Sequence, residues 1–135
     1  MALLTWKDES SVHIGVIDLQ HKKLVELLNQ IHDAAQAGRG KDVLERILED
    51  LVTYTKVHFS TEEDFFTKHS YPRSVQHKAE HDALTKKVLK YQEEYNSGRS
   101  ALTIEVMKFL KDWLTNHILA VDKQYTPFLN AKGVR

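Results

Sequence analysis

The sequence predicts an all-α protein: an up-down-up-down antiparallel four-helix bundle with an N-terminal arm and a short C-terminal helix. Three observations predict it. Only five Gly and two Pro interrupt 135 residues, and cysteine is absent, so little breaks or staples the chain. The breaks leave four segments of similar length joined by short connections, an arrangement that favours antiparallel neighbours. Each segment carries apolar residues at steps of three and four, the spacing of one helix face.

Residues 1–17 read as an arm, with Trp6 and Ile14 as anchors. The first helix, expected over 18–37, carries the stripe Ile17, His21, Leu24, Leu28, Ile31 and Ala35, and ends at Gly38-Arg39-Gly40. The second, 41–68, carries Leu44, Ile47, Leu51, Tyr54, His58, Glu62 and Phe65, and ends at Ser70-Tyr71-Pro72. The third, 73–96, shows His77, His81, Leu84, Val88, Tyr91 and Tyr95 before Asn96-Ser97-Gly98. The fourth, 100–122, shows Val106, Leu110, Trp113, His117 and Val121. The remaining piece, 123–135, contains Pro127 and Gly133 and closes the chain as a short helix. Residues 1–135 are expected to form a single domain.

Composition excludes several functions. Lys plus Arg number 19, as do Asp plus Glu, so a basic nucleic-acid-binding face is not expected. No apolar run reaches the roughly 18 residues of a membrane span, and MALLTWKDES has neither the basic lead nor the apolar core of a secretory leader. Without cysteine there are no thiolate metal sites, iron–sulfur clusters or thiol nucleophiles. These features point to a cytoplasmic protein with no membrane insertion, and the mixed-charge surface to a monomer.

Eight histidines are unusual in so short a chain. One His on an apolar stripe is ordinarily a core residue with a hydrogen-bond partner. Here every predicted helix has at least one. His21 lies near the start of the first helix, His58 and Glu62 near the end of the second, His77 and His81 near the start of the third, and His117 and Asp122 near the end of the fourth. Antiparallel topology therefore brings all seven to one end of the bundle, within about 12 Å along its axis. Burying so many polar groups together costs several kcal/mol, about 1–3 for each unpaired group, unless something binds them. That end should loosen on metal loss, whereas the far end has an ordinary apolar core. His13, His32 and His69 fall outside the layer and read as surface residues.

The spacing suits chelation. His58 with Glu62, and His77 with His81, are four residues apart and stack on one helix face. His117 and Asp122 are five apart, a rotation of about 140° in an ideal helix, so a wide turn or π-bulge is expected between Ile118 and Asp122. Five imidazoles and two carboxylates are too many for one metal, which implies two. Two octahedral ions with two bridging carboxylates and a bridging oxide or hydroxide leave one position for a small molecule. An N/O donor set suits Fe, Mn, Zn or Co without choosing among them.

These residues carry a family resemblance. His21, His58-Phe59-Ser60-Thr61-Glu62, His77-Lys78-Ala79-Glu80-His81 and His117-Ile118-Leu119-Ala120-Val121-Asp122, within IDLQHKKL, HFSTEED and WLTNHILAVDKQY, resemble hemerythrin, most closely the single-domain bacteriohemerythrins. The resemblance runs from Trp6 to Tyr125 and matches seven ligand positions in order. It implies a non-haem centre of two Fe ions bridged by oxide or hydroxide, which binds O2 reversibly for storage, transport or delivery and is not an enzyme. By this resemblance His77, His81 and His117 hold one iron, His21 and His58 hold the other with the open position, and Glu62 and Asp122 bridge. Leu24, Phe59, Trp113, Leu114 and Ile118 match the positions that line the O2 pocket. Asp18, Glu63 and Tyr125 are candidates to accept or donate hydrogen bonds behind the ligands. An O2-consuming enzyme is a natural recipient.

Other readings compete. A stand-alone O2 or redox sensor would use the same centre, as would a di-iron oxidase or an enzyme handling nitric oxide or peroxide. The many imidazoles argue for a carrier, because di-iron oxygenases rely on more carboxylates. His77-Lys78-Ala79-Glu80-His81 also matches the H-x-x-E-H motif of a zinc peptidase with Glu80 as general base, but that reading leaves the other donors unused. The paired Glu-x-x-His motifs of ferritin-like proteins are absent from the sequence.

Overall fold

The computed structural model describes residues 4–38, 41–98, 104–117 and 122–135. A 3-10 turn at Asp8–Ser10 interrupts the arm. Helices α1 (Gly15–Gln36), α2 (Lys41–His69), α3 (Ser74–Asn96) and α4 (Ile104–Asn116) follow, then a second 3-10 turn at Asp122–Tyr125 and the short helix α5 (Thr126–Ala131). The fold is the all-α four-helix bundle that the punctuation predicts. α1 packs along α2 and α4, and α2 along α3. His21, early in α1, touches His58, late in α2, so these helices run antiparallel.

The element ends follow from local chemistry. α1 begins at Gly15, three residues before the expected start, because Asp18 turns back onto the arm. Its carboxylate accepts the Val12 N–H at 2.8 Å and the Ser11 hydroxyl at 2.5 Å. The arm is thus shorter than 1–17. α2 ends with Ser70 in the left-handed region (φ 55°). The Tyr71 N–H then donates to the Phe66 carbonyl at 2.9 Å, and the rings of Tyr71 and Phe66 meet at 4.8 Å. That is a Schellman stop with its apolar contact. α5 stops the same way at Gly133 (φ 85°), where the Val134 N–H reaches the Leu129 carbonyl at 3.0 Å.

The expected α2 stripe is buried at Leu44, Leu51, His58 and Glu62, but the buried face extends to one side of it. Leu48, Thr55, Phe59 and Phe66 are buried, whereas Ile47, Tyr54 and Phe65 are only half-buried. Two adjacent rows of this helix are apolar in sequence, and packing against both α1 and α3 selects the row between them. The expected stripes of α1 and α3 are buried except at Ala35, Leu84 and Tyr91, which are half-buried. The Val106 and Val121 side chains lie outside what is described.

Two apolar clusters form the core. The larger fills the body of the bundle with residues such as Leu24, Leu28, Leu48, Leu51, Leu110 and Leu114. The smaller gathers Val12, Ile14, Ile17, Phe66, Tyr71, Tyr125 and Leu129 from the arm, α1, the end of α2, its following turn and the C-terminal segment. The expected helical layer of histidines therefore does not sit at a bare end of the bundle. Polar donors lie between two apolar clusters, one of them a cap, and burial of that cap holds the ends of four segments together.

Candidate metal centre

The structure brings all seven predicted donors together. His21, His58, Glu62, His81, His117 and Asp122 are at most 1% exposed and His77 is 3% exposed. Their ligating atoms form two groups. His21, His58, Glu62, His117 and Asp122 make one, and Glu62, His77, His81 and Asp122 the other. Glu62 and Asp122 belong to both. Asp122 turns Oδ2 toward His21 Nε2 (2.6 Å), His117 Nε2 (2.8 Å) and His58 Nε2 (3.2 Å), and Oδ1 toward His77 Nε2 (3.2 Å). Glu62 Oε1 lies 3.1 Å from His81 Nε2, 3.2 Å from His58 Nε2 and 3.4 Å from His117 Nε2. The His117 ring stands between the groups, with centroids 5.2 Å from His58 and 5.6 Å from His81.

Local structure explains the convergence. His58 and Glu62, like His77 and His81, repeat at one helical turn on inward faces of α2 and α3. At His117 the chain widens into a π-type turn, and it resumes at Asp122 as a 3-10 turn. Residues 118–121, where the distortion was expected, lie outside those described. Asp122, five residues on, nevertheless faces His117, its Oδ2 2.8 Å from His117 Nε2.

The donors fit metal ions better than they fit one another. His21 Nε2 and His117 Nε2 each lie 3.1 Å from His58 Nε2, and one proton can satisfy only one of those contacts. Both Glu62 oxygens and His81 Nε2 are buried without a hydrogen-bond partner among the described residues. Cations shared by these lone pairs would satisfy all of them at once, at the N/O donor set of first-row divalent metals.

The electrostatics agree. Burial lowers the His58 pKa over the opposing pull of Glu62 and Asp122, which favours the neutral ring. Burial also disfavours charge on His117, but Asp122 and Glu62 outweigh it and raise its pKa to about 10. Burial and Asp122 push the Glu62 carboxyl up, while His58 and His117 pull harder and bring it to about 2. Asp122 is desolvated too, yet His117, His21 and His58 hold it well below the usual carboxylate range. Without metal, the cage therefore favours ionised Glu62 and Asp122 beside a protonated His117.

Four of the five predicted pocket residues are described. Leu24, Phe59, Trp113 and Leu114 are buried within one apolar cluster. Phe59 and Trp113 meet edge to face at 6.3 Å. Trp113 also stacks on His117, with centroids 6.1 Å apart and planes 22° apart. Ile118 lies outside the described residues.

The surrounding hydrogen bonds divide the other candidates. Glu63 Oε2 lies 3.0 Å from His81 Nδ1, as a carboxylate behind a ligand should. Asp18 instead clamps the arm through Ser11 and Val12. Tyr125 is fully buried; its hydroxyl approaches Glu62 without the alignment of a hydrogen bond, and burial, then the charges of Asp122 and Glu62, raise its pKa well above the ordinary value. Sequence reasoning missed Gln20, whose Oε1 lies 2.9 Å from His58 Nδ1. Its signal was position: it falls three residues after Ile17 and four before Leu24, on a buried face. Glu80, the general base of the peptidase reading, is exposed. His13 is exposed, while His32 and His69 are half-buried rather than fully on the surface.

Comparison with known proteins decides the family. The profile described as the Hemerythrin HHE cation binding domain matches residues 12–129. The chain belongs to the hemerythrin family. It is 36% identical to the bacteriohemerythrin of Methylococcus capsulatus (strain Bath) over 97% of this chain and all of that protein. It is 34% identical to the bacteriohemerythrin of Stenotrophomonas maltophilia, over 97% of this chain and 84% of that one. A crystal structure of wild-type hemerythrin superposes with a TM-score of 0.88 at 35% identity, covering 93% of this chain and 97% of that chain. Among the described residues no helix is long and apolar enough to cross a membrane.

Proposed function

We propose that this protein binds O2 reversibly at a non-haem centre of two iron ions, as a store or carrier and not as an enzyme. The observation that supports it most is the pair of donor groups sharing Glu62 and Asp122. Two carboxylates common to two nests of imidazoles are what a bridged pair of ions requires, and one ion uses neither nest fully. Glu62 and Asp122 would bridge, together with an oxide or hydroxide. The His117 nitrogen groups here with His21 and His58; with both ions bound it would turn to join His77 and His81 on one, as the family resemblance implies, leaving His21 and His58 to hold the other, which keeps the open position. Iron held there would supply the reversible electron transfer that O2 binding needs.

The chain's own part is to position the donors and keep the pocket dry. Leu24, Phe59, Trp113, Leu114 and Ile118 would surround the open position, exclude water and slow loss of bound O2 by protonation. Five imidazoles and only two carboxylates favour a carrier over an oxygenase, since high-valent iron is better supported by anionic donors. We take the protein to act in the cytoplasm as a monomer, with an O2-consuming enzyme as recipient. The test is optical. The reduced protein, exposed to air and then stripped of oxygen, should gain and lose a visible charge-transfer band through repeated cycles. A band that forms once and never reverses argues for an oxidase or a redox sensor instead.

A further inference from the structure

The two groups of donors differ in what stands behind their rings. His58 Nδ1 lies 2.9 Å from Gln20 Oε1. The Gln20 amide donates to the Thr61 hydroxyl at 3.0 Å, and that hydroxyl donates to the Val57 carbonyl at 3.0 Å. Every member of this chain beyond the ring is neutral, and it ends inside α2. His81 Nδ1 lies 3.0 Å from Glu63 Oε2. The other Glu63 oxygen is 3.5 Å from the Lys78 ammonium, which is also 3.3 Å from Asp82. The Nδ1 atoms of His21 and His117 have no partner among the described residues. Among those residues, Glu63 is the one carboxylate within hydrogen-bond distance of the outward nitrogen of a donor ring.

A ring that gives its outer N–H to a carboxylate becomes a stronger donor through its other nitrogen. An amide oxygen fixes the tautomer and orientation but adds no net charge. We propose that Glu63 and Gln20 make the two metal positions unequal. Glu63 strengthens His81, so the position His81 serves takes up a divalent cation first and holds its ferric state better. Gln20 leaves the position served by His58 the weaker of the two. Glu63 is 28% exposed and shares its charge with Lys78, so solvent and Lys78 moderate the effect without cancelling it. Both are positioning residues that act through a histidine. The inference rests on the two-metal reading above.

Titration of the metal-free full-length protein with Co(II), followed by its visible absorption, tests it. The wild type should bind two ions in distinguishable steps. Glu63→Gln keeps the shape and an acceptor for His81 but removes the charge. It should weaken the tighter step by about 10–100-fold and leave the weaker one in place, and it should raise the reduction potential of the iron-loaded protein. Gln20→Glu should tighten the weaker step and narrow the gap. A residue that merely props the ring would leave both readouts unmoved in Glu63→Gln. Unchanged steps, or two steps weakened alike, would overturn the inference while the two-metal reading stands. Uptake of no more than one Co(II) by the wild type would overturn both.

Discussion

Phe59 lies flat on His81: their ring centroids are 3.8 Å apart and their planes differ by 5°. The same phenyl ring is 5.2 Å from His117 and 5.9 Å from His58, so one side chain touches donors from α2, α3 and the turn after α4. It is the wall between the polar layer and the main apolar cluster. Phe59→Ala should destabilise the fold by about 3–5 kcal/mol, the range for a buried aromatic truncated to a methyl group. It should also free the His81 ring. Urea unfolding of the iron-loaded protein checks the first effect, and an altered charge-transfer spectrum checks the second. A variant with wild-type stability and spectrum would mean that the stack does neither.

Dryness is a separate matter from packing. Leu24 is fully buried one turn beyond His21. Leu24→Asn keeps the branched shape and number of heavy atoms and places an amide beside the metal layer, at a cost of about 1–3 kcal/mol. The variant should keep its iron and oxidise irreversibly faster in air, because the amide brings water toward the open position. Ile118→Glu should act in the same direction. Autoxidation half-lives indistinguishable from wild type in both variants would remove these two residues from the pocket.

The acid that clamps the arm and a histidine of the metal layer should behave oppositely. Asp18 holds the Val12 N–H and the Ser11 hydroxyl. Asp18→Ala should cost about 1–3 kcal/mol, the penalty for stranding buried hydrogen-bonding groups, with full metal content and an unchanged spectrum. His77→Ala should do the reverse: it should lose metal in dialysis against a chelator while its far-ultraviolet circular dichroism stays helical. The cap cluster supports that expectation, since Phe66 and Tyr125 flank His77 at 4.8 and 5.6 Å and do not depend on it for their own contacts with each other at 5.3 Å. The His-bearing end should therefore stay folded more fully after metal loss than a layer without a cap would.

The metal-free protein should have a pH optimum of stability near 6.5. His117 is raised from 6.5 to about 10, so its contribution is complete below 6.5 and drains away as pH climbs through about 10. Burial lowers His58, so the unfolded chain binds a proton there more readily than the native one and stability falls as pH drops below 6.5. Glu62, lowered from 4.5 to about 2, adds a second loss as pH falls from 4.5 through about 2. Metal ions displace the His117 proton, so the loaded protein should lose the alkaline decline, and loading near pH 8 should release a proton into a weakly buffered solution. Urea midpoints at pH 6.5 and 9, with and without metal, test the sign; a metal-free protein that is more stable at pH 9 contradicts it.

Much of this arrangement is legible in the residues themselves. His21, His58, His77, His81 and His117 occupy places in apolar stripes, and polar side chains at core registers are visible without coordinates. Antiparallel topology then puts them in one layer. Glu63 could be anticipated because it is next to Glu62 and one step from the inward face. Gln20 offered only its register on the buried face of α1, and that its amide meets His58 is not legible until the partner helix is known. The sideways shift of α2's buried face was hidden for a related reason. Leu48, Thr55, Phe59 and Phe66 compete with an equally apolar row, and only neighbouring helices choose between them. The cap is the least local feature of all. Val12, Tyr71 and Leu129 are far apart in the chain, and no periodicity links them.

The account depends on two metal ions in one cage with a single place for a gas molecule. The most direct test is an anaerobic titration of the reduced, iron-loaded protein with O2, with iron measured on the same sample. The account predicts two irons per chain, one O2 bound for each pair, and its recovery on evacuation. One iron per chain, or O2 consumed without recovery, would contradict it.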